Sequence, residues 1–101
     1  MSETSETLAP LAFAASFPPE ARFVATAAEI AGRLAASCGC SAEAAEEIRG
    51  AVHGAFLEVL AASAPGGACI DLTLLANDGV FDADVASGGA ALCHCSRPLT
   101  A

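Results

Sequence analysis

The stretch from Glu46 to Leu60 reads EEIRGAVHGAFLEVL, and the interpretation of the fold depends on it. Its apolar residues recur at spacings of three and four positions, which is the period of one face of an α-helix. This stripe consists of Ile48, Val52, Ala55, Phe56, Val59 and Leu60. Ser41 precedes the stretch, and a serine hydroxyl at this place accepts a hydrogen bond from a free N–H group of the first turn. We therefore predict a long amphipathic helix with its cap at Ser41.

A second helical pattern lies upstream, from about Pro19 to Ser37. Its stripe is formed by Phe23, Val24, Ala27, Ile30, Ala31 and Leu34. Gly39 predicts its C-terminal end, because glycine readily adopts the left-handed conformation that closes a helix. From Leu11 to Phe17 larger and smaller residues alternate, which predicts a first strand with one buried face.

The downstream half predicts an antiparallel hairpin. Apolar residues alternate with polar ones on both sides of a strong turn signal, Asn77-Asp78-Gly79. The predicted inward-facing residues are Ile70, Leu72, Leu74, Phe81, Ala83 and Val85. Ser87-Gly88-Gly89 ends the second strand, and a further short strand at Ala91–Cys95 is limited by Pro98.

The predicted order is strand, helix, helix, strand, strand. It indicates an α+β two-layer sandwich, with two helices packed on one face of a small, mainly antiparallel sheet. The chain has 101 residues, which is the size of one domain. We assign residues 9–101 to that domain and residues 1–8 to a disordered acidic tail.

Composition and charge exclude several classes of function. The net charge is −8, so the chain repels phosphate backbones and anionic lipid, and we expect no binding to nucleic acid or to membranes. The polar, acidic start is the opposite of a signal peptide, and no apolar run reaches transmembrane length. These features favour a cytoplasmic protein whose five cysteines remain thiols.

The element order and several residues resemble the anti-sigma-factor serine kinases, a small branch of the histidine-kinase-like ATPase fold. In that branch a first strand ends near a Pro-Glu pair, here Pro19-Glu20, and a long helix ends before a Gly-containing turn, here Cys38-Gly39-Cys40. The second helix carries an Ile-Arg-x-Ala-Val frame after an acidic patch, matched by residues 46–52. The resemblance covers residues 9–89 and implies a nucleotide-binding scaffold that dimerises and binds sigma factors or their antagonists.

The residues that handle the nucleotide in that family are replaced here. The resemblance places the general-base Glu of the second helix at Gly54, and the Mg²⁺-binding Asn four residues later at Glu58. In that family the hairpin ends in a Val-x-Asp-x-Gly box whose Asp reads the adenine amino group. The resemblance places that Asp at Ser87 and the glycine of the box at Gly89, where it is kept. We expect the 101 residues to leave little room for the family's lid and last strands. Phosphoryl transfer depends on positioning metal, phosphates and nucleophile, so these replacements predict a degenerate ATP site.

Four other groups of residues are candidates for a catalytic or binding role, and each also has a simpler structural explanation. His53 is one residue from Gly54 and so lies about 100° around the helix, which favours a structural histidine over a replacement base. Cys93, His94 and Cys95 are a candidate metal site, although C-x-C spacing is not typical of zinc. Asp71, Asp82 and Asp84 form a candidate cation site or, more simply, a charged solvent face. Gly88-Gly89 resembles the start of a phosphate-binding loop, but a glycine pair also ends a strand.

We therefore expect a regulatory or protein-interaction module that is not an enzyme, has no cofactor and forms a homodimer, with a sigma factor or an antagonist as a candidate partner. The first alternative is a minimal ATP-binding serine protein kinase, with ATP and Mg²⁺ as cofactors and Glu58 as the metal ligand. The second is a small metal-binding protein that uses the cysteines.

Overall fold

The computed structural model describes residues 11–62 and 67–99, so the predicted tail at residues 1–8 lies outside the described residues. The elements are β1 (Leu11–Phe17), α1 (Val24–Cys38), α2 (Ala42–Ala62), β2 (Ile70–Asn77), β3 (Val80–Ser87) and β4 (Ala90–Pro98). Two helices pack on one face of an antiparallel sheet, which confirms the predicted α+β class.

The strands lie in the sheet in chain order, β1-β2-β3-β4, and every neighbouring pair is antiparallel. The two helices lie between β1 and β2 in the chain, pack against each other as an α-hairpin and cover one face of the sheet. We call this helix-covered side the inner face of the sheet and the opposite side the outer face.

The predicted first helix begins later than its apolar pattern suggests. Pro18 and Pro19 are followed by a short 3₁₀ turn at Ala21–Phe23, and α1 begins at Val24 instead of Pro19. The backbone N–H of Phe23 donates to the carbonyl of Glu20, which closes this turn. The C-terminal prediction is confirmed, since Gly39 caps α1 with a φ of 115°.

The second helix matches its prediction closely. The N–H of Ala44 donates to the hydroxyl of Ser41 over 3.1 Å, so Ser41 is the cap. The apolar stripe is buried except for Leu60, which is half-buried. Gly32 allows the two helices to approach, because a Cβ at this position would lie 3.2 Å from the Cβ of Arg49.

Both hairpin turns use the left-handed backbone region. Asp78 and Gly79 have φ values of 55° and 77°, and Gly88 and Gly89 have values of 60° and 84°. Two consecutive positive values are typical of the tight turn that matches the twist of paired strands. Gly88-Gly89 is therefore the two-residue turn between β3 and β4. The simpler interpretation of the sequence had predicted that this pair ends a strand, and the structure adds that it leads directly into the next one.

The strand count requires a correction. The sequence predicted a sheet that ends with the hairpin and allowed only a short strand at Ala91–Cys95. The structure instead contains a full fourth strand from Ala90 to Pro98, with a register shift opposite Val85 and Ala86. Pro98 is tolerated because it is the last residue of an edge strand, where a missing N–H is not needed.

The core lies between the inner face and the helices. Phe56 and Phe81 are its largest fully buried side chains, and Phe56 meets Phe17 edge-on with ring centroids 5.6 Å apart. The helices contribute many buried alanines, which bring the backbones close but add little apolar area each. The larger side chains of α2, β2 and β3 therefore provide most of the hydrophobic stabilisation.

Candidate functional site

One side of α2 faces β4. Glu47 near its start forms an ion pair with Arg97 of β4, with Nε and Oε1 2.7 Å apart. Glu58 near its end lies close enough to Cys93 of β4 to act on the pKa of that thiol. Gly54 stands seven residues after Glu47 and four before Glu58, so helical geometry places it on the same side.

A cavity of about 380 Å³ opens where the end of α2 passes over β3 and β4. It is lined by Ala55, Glu58, Val59, Ala62, Ser87 and Leu92. Two of the four positions that the resemblance assigns to the nucleotide, Glu58 and Ser87, therefore meet at one place. They are far apart in the sequence, and only the packing of α2 on the sheet brings them together.

The other two positions, Gly54 and Gly89, do not line this cavity. Gly54 is half-buried one turn before Glu58, and a Cβ there would meet no atom within 4 Å, so the space is open. Gly89 lies in the turn between β3 and β4, two residues after Ser87. The hydroxyl of Ser87 donates to the carbonyl of Cys69 over 3.3 Å, so it holds the residue that precedes β2 against the end of β3.

The chemistry of the cavity is apolar with one negative group. Alanine, valine and leucine side chains form most of its wall, and the Glu58 carboxylate is exposed at its edge. A carboxylate repels phosphate oxygens unless a metal ion lies between them. The amide, the carboxylate base and the adenine-reading Asp of the resembling family have no equivalent among these side chains.

Sequence reasoning did not identify Leu92, Val59 or Ala62 as part of this site. Val59 was assigned to the core stripe, and its burial confirms that role as well. Leu92 has no counterpart in the register between β3 and β4, since Val85 pairs with Cys93 and Ala86 with Ala91. This bulge leaves a large apolar side chain 47% exposed, and no local sequence signal predicts a bulge at this position.

The side chains of the candidate metal site, Cys93, His94 and Cys95, do not point toward one common position. Cys93 and Cys95 contact the core, whereas His94 lies between them and forms its hydrogen bond on the outer face. Successive residues of a strand point to opposite faces, so these three side chains cannot share one ion. Burial, together with the charges of Cys95, Glu58 and Asp84, raises the pKa of the Cys93 thiol, which disfavours the thiolate that binds metal.

The remaining cysteines are also thiols. Cys38 and Cys40 flank the C-cap of α1, and burial raises the pKa of both, with a further contribution from Cys38 at Cys40. Cys69 is exposed just before β2. Within the described residues, no group of three or more His, Cys, Asp or Glu side chains is arranged to hold a metal ion.

The three aspartates of the candidate cation site lie on the outer face, as predicted, but each has a protein partner. Asp71 accepts a hydrogen bond from Ser16 over 2.5 Å, and Asp82 accepts one from Ser96. Asp84 lies 2.5 Å from Nδ1 of His94, whose Nε2 is 3.6 Å from Asp82. The hydrogen bond and charge of Asp84, with a smaller contribution from Asp82, raise the pKa of His94.

His53, the other histidine, is half-buried on α2. It is not among the residues that line the cavity.

Two further findings bear on the kind of protein this is. Neither α1 nor α2 nor any other helix within residues 11–62 and 67–99 is long and apolar enough to cross a membrane. No protein-family model matches the chain, and no curated protein matches it either.

Proposed function

We propose that this protein is a non-catalytic regulatory module that acts by binding other proteins. Its scaffold resembles that of the anti-sigma-factor kinases, its ATP site is degenerate, and its working form is a homodimer. A sigma factor or an antagonist protein is the candidate partner. The cytoplasm is the proposed location.

The observation that carries this proposal is the chemistry of the cavity at the end of α2. Glu58 and Ser87 lie together there, where the resemblance predicts a nucleotide, and alanine, valine and leucine side chains form the rest of the wall. One turn earlier on α2, the position that the resemblance assigns to the base is Gly54, which has no side chain. A site for phosphoryl transfer would need a metal ligand, a base and phosphate-binding groups together.

The charge of the molecule supports a protein partner with a basic surface. The net charge is −8, and the outer face carries Asp71, Asp82 and Asp84 beside a single histidine. Opposite charge on a partner raises the rate of association and favours the correct orientation. Nucleic acid and anionic membranes have the wrong sign for this surface.

Calorimetric titration with ATP and Mg²⁺ tests the non-catalytic part of the proposal. An anti-sigma-factor kinase that keeps the Glu and the Asn serves as the positive control under the same conditions. We expect saturable heat from the control and none from this protein. Binding in the micromolar range, or transfer of phosphate to a protein substrate, would overturn the proposal in favour of the minimal kinase.

A further inference from the structure

We propose that β1 is a self-association edge: two copies of the chain pair their β1 strands antiparallel about a two-fold axis that passes beside Ala14. The two four-stranded sheets then join into one continuous sheet. This inference rests on the homodimer in the proposed function and adds to it the interface, the register and the residues that meet.

The two edges of the sheet are not equivalent. β4 carries the features that protect an edge from pairing, namely a bulge, an ion-paired arginine at Arg97 and a proline at its end. β1 reads LAFAASF and has none of these: it holds no charge and no proline, and its seven residues pair with β2 without a register shift. No other strand of residues 11–62 and 67–99 pairs with the second edge of β1. A regular, uncharged edge presents a row of N–H and C=O groups that favour pairing with another strand.

The inner face of β1 is also incompletely buried. Leu11, Phe13 and Ala15 are half-buried, whereas the inward-facing side chains of β2 and β3 are buried. The reason is positional, since α2 packs on β3 and β4, and the inner side of β1 lies at the margin of the helix layer. Apolar side chains from a strand added at this edge would complete that burial.

The strand is complementary to itself when it is reversed. Side chains alternate with period two, so paired residues must both be odd-numbered or both be even-numbered. Pairing about Ala14 uses the whole strand and sets Leu11 against Phe17 of the partner copy and Phe13 against its Ala15. On the outer face it sets Ala12 against Ser16, so only small side chains meet there.

Two copies of the chain should repel one another less when they meet at β1 than when they meet elsewhere on the surface. Two molecules that each carry −8 repel one another, and the repulsion is weakest where the contact itself is uncharged. β1 is the only strand of the described residues without an ionisable side chain. An unrelated basic peptide would gain no ion pair from this strand, whereas an identical strand gains matched apolar pairs.

Two double variants test the register directly. In the proposed pairing position 12 of one copy lies opposite position 16 of the other, and both side chains are exposed on the outer face. The like-charge variant combines Ala12→Lys with Ser16→Lys and places two positive charges opposite one another. The opposite-charge variant combines Ala12→Glu with Ser16→Lys. Because both variants share the Ser16→Lys change, any effect of losing the hydrogen bond to Asp71 is common to them.

The readout is molar mass by light scattering of the full chain over a range of concentrations. We expect a dimer for the unchanged protein and for the opposite-charge variant, and dissociation to the monomer for the like-charge variant. Ala91→Lys, at an exposed alanine of the opposite edge strand β4, is the control and should leave the dimer intact. Circular dichroism and urea unfolding establish that each variant is folded.

Hydrogen exchange gives a second measurement that does not depend on the variants. The backbone amides of β1 that point away from β2 should become more protected from hydrogen exchange as the concentration of the unchanged protein rises. In the proposed dimer these amides donate hydrogen bonds to the partner copy. A strict monomer at every concentration overturns the proposal, as would occupation of this edge by the chain's own first ten residues. A dimer that both double variants leave unchanged, or that Ala91→Lys disrupts, also overturns it, since the interface would then lie elsewhere.

These outcomes are independent of the nucleotide titration. A result that overturns the β1 interface would not affect the proposal of a degenerate ATP site. Likewise, binding of ATP would not affect the proposal that β1 is the dimer interface.

Discussion

Arg97 on β4 donates a hydrogen bond from Nε to Oε1 of Glu47 on α2 over 2.7 Å, and the two residues are 50 positions apart in the sequence. This ion pair joins the last strand to the helix layer at the end of the molecule opposite the cavity. It belongs to the strand that sequence patterns predicted least well. Its partners are exposed, so its strength depends on the surrounding water and salt.

The Arg97–Glu47 pair should contribute little to stability and should weaken with salt. We expect a double-mutant cycle of Arg97→Gln and Glu47→Gln to give a small favourable coupling at low ionic strength. Because counter-ions screen exposed charges, that coupling should be absent in molar salt. Urea unfolding at the two salt concentrations measures it, and a coupling that salt does not change would contradict an electrostatic origin.

Phe56 should be among the most costly positions to truncate. Its side chain is fully buried on α2 and packs edge-on against Phe17, so Phe56→Ala leaves a cavity that neighbours fill only partly. We expect a loss of about 3–5 kcal/mol in the free energy of unfolding. The adjacent Leu57 is 48% exposed, and Leu57→Ala should change stability by less than about 1 kcal/mol. Similar losses at both positions would contradict the burial of α2 described above.

Two glycines should respond to alanine in opposite directions. Gly50 lies in α2 with open space where a Cβ would stand, so Gly50→Ala should stabilise the protein by roughly 0.5–1 kcal/mol through helix propensity. Gly79 has a φ of 77°, which alanine adopts with strain, so Gly79→Ala should destabilise by roughly 1–2 kcal/mol. Thermal unfolding of the two variants checks both signs, and stabilisation by Gly79→Ala would contradict the left-handed turn.

The stability contributed by His94 should depend on pH. Its pKa is raised in the folded protein by the hydrogen bond to Asp84, so the folded state holds the proton more tightly than the unfolded chain does. The contribution is therefore fully present below the unfolded pKa of about 6.5 and is lost as pH rises through the raised folded value. We expect His94→Gln to destabilise more at acidic than at alkaline pH, as long as the aspartates stay ionised.

Urea unfolding of His94→Gln and of the unchanged protein on both sides of neutral pH measures this difference. His53→Gln, on α2 and away from the outer-face aspartates, serves as the matched control. An effect of His94→Gln that grows with increasing pH would have the wrong sign for the Asp84 interaction.

The helices, the first hairpin and the fold class followed from local patterns. The Ser41 cap, the Gly39 stop and the Asn77-Asp78-Gly79 turn each depend on residues within one turn of the backbone, so the sequence alone predicts them. The apolar stripe of α2 and the alternation in β2 and β3 likewise identify the buried faces, because helix and strand periods differ. That Gly54 and Glu58 replace a general base and a metal ligand stays a prediction, since it depends on the resemblance to the anti-sigma-factor kinases and not on a local pattern.

Tertiary structure decided which residues meet and where the sheet ends. β4 became a full strand because β3 offers it a pairing edge and Arg97 reaches α2, and neither is visible in a segment that contains Pro98. The packing of α2 on the sheet also places Glu58 and Ser87 at one cavity. The formation of β4 places His94 on the face opposite Cys93 and Cys95, because successive residues of a strand point to opposite faces. Within the described residues, long-range pairing places β1 at an edge of the sheet, and its sequence makes that edge uncharged.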